Sequence, residues 1–225
     1  MSGAVPAAAT SRHGAPGAGR PEGTGQSLPL PALVVVTDGS LTRGRPLSKV
    51  VGAAIEGGAR AVLMREKHLS GIQRHALADE LRALLRPVDG ILLVASGPAI
   101  PSDGLHLASA DALPKAAPAL LGRSCHSAGD VAAAAAQGCQ YATLSPIFPS
   151  TSKPGYGPAL GPGALRGHSL PVWALGGVGP TNAGACLEAG ASGVAVMGLV
   201  MRAEDPTAAV ATMCAAIVGA GRDKR

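Results

Sequence analysis

One stretch of the chain constrains its fold more than any other: residues 170–200, with the sequence LPVWALGGVGPTNAGACLEAGASGVAVMGLV. Its pattern predicts a buried strand, a helix and a second buried strand. Each strand is followed directly by glycine, Gly176-Gly177 in the first case and Gly198 in the second. Glycine lets the backbone approach an anion with several N–H groups, and a helix N-terminus adds partial positive charge. The stretch therefore predicts a phosphate site at the carboxyl ends of two parallel strands, formed by Gly176, Gly177, Val196, Met197 and Gly198.

The rest of the chain repeats this alternation of strand and helix. Short apolar runs predict eight strands, which begin near residues 33, 61, 91, 104, 122, 141, 172 and 193. Eight such units predict the α/β class and a single (β/α)8 TIM barrel, in which phosphate commonly binds after strands seven and eight. A doubly wound open sheet is the alternative, although no GxGxxG motif follows the first strand.

Two helix predictions are specific enough to check. The first helix spans roughly 70–85, with apolar residues on one face at Ile72, Leu77, Leu81 and Leu84. The second is a short helix at 114–121 between the fourth and fifth strands.

Composition divides the chain into three parts. Residues 1–29 are rich in Ala, Gly and Pro and predict a disordered N-terminal tail, residues 30–221 the barrel, and residues 222–225 a charged C-terminal tail. Of the net charge of +5, the two tails contribute +1 and +2, which leaves too little on the barrel to indicate nucleic-acid binding.

The cysteines and the hydropathy pattern indicate the cellular setting. The four cysteines lack CxxC spacing, so they predict neither a zinc site nor a redox motif. No apolar run has the length of a membrane span, and the N-terminus lacks a secretory signal. We therefore expect a cytoplasmic protein that does not bind membranes.

Several polar residues follow predicted strands, at the end where barrel enzymes hold functional groups. Arg65 and Lys67 follow the second strand and suit a phosphate or pyrophosphate, although a solvated pair beside Glu66 is the alternative. His126 follows the fifth strand, where a histidine could transfer protons near neutral pH. A structural histidine bonded to the backbone is the alternative. His106 lies within the fourth strand, which favours a packed, hydrogen-bonded role.

A long loop and one carboxylate complete the candidate site. The loop spans 145–163 and carries Ser150, Ser152 and Lys153, which suit closure over an anion. Asp111 follows the fourth strand, but one carboxylate makes a poor magnesium site by itself.

Six stretches together resemble the thiamine phosphate synthase/TenI family over roughly residues 32–218. They are VVVTD at 34–38, LMREK at 63–67, DGLHLASAD at 103–111, GRSCHS at 122–127, YATLSPIFPSTSKPGYG at 141–157 and ALGGVGPTNAGACLEAGASGVAVMG at 174–198. The resemblance implies a (β/α)8 barrel that acts on thiazole phosphate in thiamine biosynthesis, and a homo-oligomer is compatible with it.

The synthase branch couples a pyrimidine pyrophosphate to thiazole phosphate with Mg²⁺. The resemblance implies that residues Arg65, Lys67, Ser124 and Lys153 bind pyrophosphate and that Asp111 is a metal ligand. The chain departs from the synthase pattern after the fourth strand, where Ala108-Ser109 replaces a Gly-Gln pair. It also departs on the pyrimidine side, where Leu63 replaces a glutamine and Ala95-Ser96 replaces an Asn-Asp pair. These changes remove one metal ligand and hydrogen bonds on the pyrimidine side.

The TenI branch is a thiazole tautomerase that needs no cofactor, and GRSCHS at 122–127 resembles its motif, whose histidine is His126 here. Because of the departures, a TenI-type tautomerase with His126 as the acid/base group is the first hypothesis. Thiamine phosphate synthase with Mg²⁺ is the alternative, and a non-catalytic barrel that binds thiazole or thiamine phosphate is the second alternative.

Overall fold

The computed structural model describes residue 1 and residues 31–95, 100–116, 118–149 and 158–222, with the side chains of 221 and 222 excepted. The eight strands are β1 (Leu33–Val36), β2 (Ala61–Met64), β3 (Ile91–Ala95), β4 (Gly104–Leu107), β5 (Leu121–Cys125), β6 (Tyr141–Leu144), β7 (Val172–Leu175) and β8 (Gly193–Val196). The α-helices are α1 (Leu47–Glu56), α2 (Gly71–Leu85), α3 (Ala128–Ala136), α4 (Ala183–Glu188), α5 (Gly198–Met201) and α6 (Pro206–Arg222). None of these helices is long and apolar enough to cross a membrane.

All eight strands are parallel and close into one barrel in chain order. Closure is made by β1 and β8, in which Val34 pairs with Ala195. The predicted (β/α)8 barrel is therefore confirmed, and the open-sheet alternative is wrong. Because the strands are parallel, their carboxyl ends share one rim, where the residues that follow each strand meet.

The inside of the barrel is a packed core rather than a channel. Apolar side chains from every second strand position fill it, and near its amino-terminal end the ring centroids of Tyr141 and Trp173 lie 4.6 Å apart. Gly122 on β5 makes room for this pair, since a Cβ there would overlap the ring of Tyr141. Tyr141 and Trp173 thus fill space that the small side chains around them leave.

Helix α2 has a different buried face from the predicted one. Its first turn is held by a capping box in which Ser70 and Gln73 exchange hydrogen bonds with each other's backbone N–H groups. The buried positions are Arg74, Ala78, Leu81 and Leu85, whereas Ile72 is 86% exposed. The apolar pattern therefore placed the buried face of α2 wrongly by part of a turn. It assigned Arg74 to the exposed face, whereas the Nη2 of Arg74 is buried and donates to the carbonyl of Ala95.

The segment between β4 and β5 differs from its predicted structure. The expected helix at 114–121 is wrong: its described residues are irregular up to Leu120, and Leu121 already begins β5. The prolines at 114 and 118 explain this, since a proline inside so short a segment removes a backbone donor.

The predicted disordered tail at 1–29 lies outside the described residues, apart from residue 1, and α6 extends through residue 222.

Candidate active site

The first part of the rim follows β2, where Glu66 separates the two predicted anion-binding cations. Glu66 is 1% exposed and accepts hydrogen bonds from the hydroxyl of Thr37 at 2.7 Å and from the N–H of Gly39 at 3.1 Å. Arg65 is half-buried and Lys67 is exposed, and neither forms an ion pair with Glu66. The anion-binding role of the two cations therefore stays a prediction, and so does the alternative of a solvated pair. Glu66 supports the backbone between the cations instead of neutralising them.

The second part of the rim follows β4 and is held by a buried arginine that the sequence analysis missed. Arg123 is 6% exposed, and its Nη1 donates to the carbonyls of Ala108, Ser109 and Asp111 at 3.0, 3.0 and 2.9 Å. Asp111 in turn accepts the N–H of Ala108 at 2.7 Å through Oδ2. The sequence signal for this role was an arginine inside a predicted buried strand. A buried guanidinium needs several hydrogen-bond acceptors, so such an arginine indicates a structural network.

The inner face of the barrel below this rim carries a hydrogen-bonded group. His106 is 4% exposed, and it lies 3.0 Å from the hydroxyl of Tyr141 through Nδ1 and 2.9 Å from that of Ser124 through Nε2. The prediction of a packed His106 is confirmed. Burial, with the positive charges of Lys67, Arg123 and Arg65, lowers the pKa of His106 to about 3, while Asp111 acts in the opposite direction. The imidazole is therefore neutral near neutral pH, and three nearby cations disfavour its protonation.

His126 stands at the carboxyl end of β5, beside the end of β6. Its Nδ1 lies 2.8 Å from the carbonyl of Ser145, and its backbone N–H donates to Asp130 at 2.9 Å. That hydrogen bond is the main reason why the pKa of Asp130 is lowered. A carbonyl can only accept, so the Nδ1 of His126 carries a proton, which fixes the tautomer of the neutral ring.

The glycines after β7 are required by packing as well as by any ligand. Gly176 and Gly177 have φ values of 91° and 63°, and a Cβ on Gly177 would lie 2.5 Å from the carbonyl oxygen of Pro149. The carbonyl of Gly177 also accepts the amide of Asn182 at 3.0 Å. The loop after β6 thus lies directly against the first glycine turn.

The second glycine turn is adjacent to the first, because β7 pairs with β8 through Leu175 and Ala195. Val196 ends β8, Met197 follows it, and Gly198 begins α5. First-turn N–H groups of a helix have no acceptor within the helix. The predicted phosphate-site residues Gly176, Gly177, Val196, Met197 and Gly198 thus lie at the ends of two adjacent strands. We call this part of the rim the glycine corner.

The predicted site residues fall into two groups on this rim. One group has Arg65 and Lys67 after β2, Asp111 after β4, Ser124 within β5 and His126 directly after it. The glycine corner after β7 and β8 forms the other group. Ser150, Ser152 and Lys153 lie outside the described residues.

Leu63 and Ala95, two of the departures on the pyrimidine side, face the barrel interior, and Ser96 lies outside the described residues. Leu63 and Ala95 are each 3% exposed and belong to the apolar cluster inside the barrel. The described residues contain no group of three or more His, Cys, Asp or Glu side chains that could hold a metal. Magnesium is often bound by one or two carboxylates together with substrate phosphates. Asp111 would fit that role beside a phosphorylated substrate.

Comparison with known proteins agrees with this arrangement. The family model described as thiamine monophosphate synthase matches residues 33–200. The thiamine-phosphate synthase of Chloroflexus aurantiacus is 38% identical over 207 residues, which cover 85% of this chain and 94% of that protein. That of Geobacillus thermodenitrificans is 34% identical over 80% of this chain and 89% of its own length. The structure of thiamine phosphate pyrophosphorylase from Pyrococcus furiosus has a TM-score of 0.71 at 28% identity and covers 84% of this chain and 96% of that one. The chain therefore belongs to the thiamine monophosphate synthase family.

Proposed function

We propose that this protein is a thiamine phosphate synthase, which couples hydroxymethylpyrimidine pyrophosphate to thiazole phosphate and releases pyrophosphate. The names of its relatives support this alternative and give no specific support to the tautomerase that the sequence analysis placed first. One structural observation carries the proposal. Arg65, Lys67 and Arg123 each contribute positive charge at His106 on β4, whereas the glycine corner follows β7 and β8.

Two separate anion sites suit a reaction between two phosphorylated substrates. A tautomerase acts on one phosphorylated substrate and uses the glycine corner alone. In the proposed synthase, Arg65, Lys67 and Ser124 hold the pyrophosphate, and Ser150, Ser152 and Lys153 close over it from the loop after β6. Thiazole phosphate binds backbone N–H groups at Gly176, Gly177, Val196, Met197 and Gly198.

The proposed reaction breaks the bond between the pyrimidine methylene and the pyrophosphate oxygen, and the ring nitrogen of the thiazole bonds to that carbon. Negative charge develops on the pyrophosphate as it leaves, and the cations Arg65 and Lys67 stabilise it. Asp111, held in place by Arg123, is the residue that would hold magnesium, which adds positive charge beside the leaving group. Anchoring the thiazole at the glycine corner holds its ring nitrogen toward the carbon that it attacks.

The apolar side chains Leu63 and Ala95 leave the pyrimidine side with fewer polar contacts than the synthase pattern. They offer an apolar wall to the ring instead of hydrogen bonds, so we expect looser selection among pyrimidine substituents. The barrel interior still excludes water there, because both side chains are buried in its core.

A direct assay tests the proposal. Wild-type protein with magnesium, hydroxymethylpyrimidine pyrophosphate and thiazole phosphate should form thiamine phosphate and pyrophosphate in equal amounts. Isomerisation of the thiazole precursor without coupling would identify the tautomerase. Binding of thiazole phosphate without either reaction would identify the regulatory barrel.

The tautomerase remains a second candidate because of one contact. The carbonyl of Ser145 fixes the tautomer of His126 at the rim, as a general base would require. Both activities are therefore measured on the same protein.

A further inference from the structure

A chain of hydrogen bonds runs from the closed interior of the barrel to its rim, through Tyr141, His106 and Ser124. We infer that Tyr141 and His106 are positioning residues that turn the hydroxyl of Ser124 into a hydrogen-bond donor toward the anionic leaving group. This inference rests on the proposed function for the identity of the anion. The direction of the hydrogen bonds stands on the ligand-free structure alone.

Tyr141 sets the direction of the chain. Its side chain is fully buried, its ring packs on Trp173, and burial raises the pKa of its hydroxyl, which therefore keeps its proton. In the described part of the chain, the Nδ1 of His106, at 3.0 Å, is the only hydrogen-bond partner of this hydroxyl. A buried hydroxyl that lacks an acceptor is costly, so Tyr141 donates and Nδ1 accepts.

The tautomer of His106 follows from that direction. A neutral imidazole has one protonated nitrogen, so an accepting Nδ1 places the proton on Nε2. Nε2 then donates to the Oγ of Ser124, at 2.9 Å. Thr143 is the competing hydroxyl, but its Oγ1 lies 3.5 Å from Nε2, beyond the usual hydrogen-bond range of about 2.5–3.2 Å.

The hydroxyl hydrogen of Ser124 is thereby available to a ligand. Because its oxygen accepts from His106, its own hydrogen points elsewhere, and the residue is half-buried on the inner face of β5. Lys67, Arg123 and Arg65 supply positive charge around the same histidine. Pyrophosphate oxygens mainly accept hydrogen bonds, so a donor hydroxyl in a positive environment matches them. The reverse tautomer would leave Ser124 donating to His106 and presenting lone pairs to the anion.

Nitrogen–proton NMR of histidine-labelled, ligand-free protein tests the direction. We expect His106 to show a protonated Nε2 and an unprotonated Nδ1, with the signal assigned by its loss in His106→Gln. Thr143→Val is the matched control, since it removes a neighbouring buried hydroxyl and should leave the tautomer unchanged. A protonated Nδ1 in the wild-type protein would overturn the inference, even if Tyr141→Phe failed to fold.

Calorimetry with inorganic pyrophosphate tests the consequence for binding. Ser124→Ala should weaken binding about 10-fold, as expected for a lost hydrogen bond to a charged group. Tyr141→Phe keeps the ring and should weaken binding about 3-fold when Ser124 is present, and by no further factor in the Ser124→Ala background. Equal effects of Tyr141→Phe in both backgrounds would contradict the relay.

The two proposals fail in distinguishable ways. Suppose that wild-type protein forms no thiamine phosphate, but His106 has the expected tautomer and Tyr141→Phe weakens pyrophosphate binding only when Ser124 is present. Then only the assigned reaction is wrong. If coupling proceeds and His106 carries its proton on Nδ1, the synthase stands and the relay is wrong.

Discussion

The hydroxyl of Thr37 donates to the buried carboxylate of Glu66 at 2.7 Å, while its oxygen accepts the backbone N–H of Arg65 at 3.0 Å. One side chain at the end of β1 thus fixes the chain direction at the end of β2. Glu66 is buried, whereas Arg65 on one side of it is half-buried and Lys67 on the other is exposed in the turn that follows. The carboxylate between two cations is a structural support for them.

Replacing Thr37 with valine should therefore weaken both stability and substrate binding. The substitution keeps the shape of the side chain and removes one donor to a buried carboxylate, which costs about 1–3 kcal/mol in the free energy of unfolding. We expect KM for the pyrimidine pyrophosphate to rise as well, because Arg65 loses its backbone anchor. Urea unfolding and steady-state kinetics measure the two effects.

Thr212→Val is the control, since the hydroxyl of Thr212 bonds the carbonyl of Ala208 on the exposed side of α6. It should change stability by less than about 0.5 kcal/mol. Equal effects of the two substitutions would show that the contact between Thr37 and Glu66 has no special role.

Arg123 should control the response to magnesium. Arg123→Met removes the donor that holds three carbonyls of the segment carrying Asp111, and loss of such outer partners typically weakens metal affinity about 10-fold or more. The magnesium concentration for half-maximal coupling should therefore rise by about that factor. Arg60→Met is the matched control, because Arg60 also donates to backbone carbonyls, those of Ile55 and Ala59 just before β2. These carbonyls lie at the opposite end of the barrel, so the magnesium response of this variant should be unchanged.

Gly177 should be far less tolerant of a side chain than Gly163. A Cβ at Gly177 meets the carbonyl of Pro149 at 2.5 Å, and φ there is 63°, whereas a Cβ at Gly163 meets nothing within 4 Å. Gly177→Ala should therefore weaken thiazole phosphate binding at least 10-fold by displacing the turn, and Gly177→Asp should abolish it by adding negative charge. Calorimetry with thiazole phosphate measures both variants, and affinity unchanged from that of Gly163→Ala would remove Gly177 from the phosphate site.

The sequence predicted the barrel and the position of its rim because both depend on local patterns. Apolar runs of strand length identify strands, and parallel order brings the residues after them together. Arg123 and Tyr141 were beyond that method, because their roles depend on partners from other strands. Ile72 and Arg74 show the same limit on a helix: hydropathy placed the isoleucine inside, while packing against β3 buried the arginine.

His106 should make the stability of the fold depend on pH. Its pKa is lowered to about 3 by burial and the nearby cations, whereas an unfolded chain has a histidine pKa of about 6.5. Between these values the unfolded chain binds a proton that the folded chain does not, so stability rises with pH across this window. From about pH 7 to pH 5, this group should lower the free energy of unfolding by up to about 2 kcal/mol. His106→Gln should remove that part of the slope in urea titrations, and identical slopes in both proteins would contradict the assignment.

Replacing His126 with alanine should separate the two candidate reactions. In the proposed coupling, the bond that breaks expels pyrophosphate, and the charge is stabilised by Arg65, Lys67 and Ser124, so no proton transfer by an imidazole is needed. We therefore expect His126→Ala to lower kcat for thiamine phosphate formation by less than about 10-fold. A tautomerase would instead depend on this ring as its general base and lose about 100-fold or more in isomerisation. Lys67→Met gives the opposite pattern, since it removes a cation from the pyrophosphate side and should impair coupling while leaving any isomerisation intact. The tautomerase would be the function of this chain if three results occurred together. The wild-type protein would isomerise the thiazole without coupling, His126→Ala would abolish the isomerisation, and Lys67→Met would leave it intact.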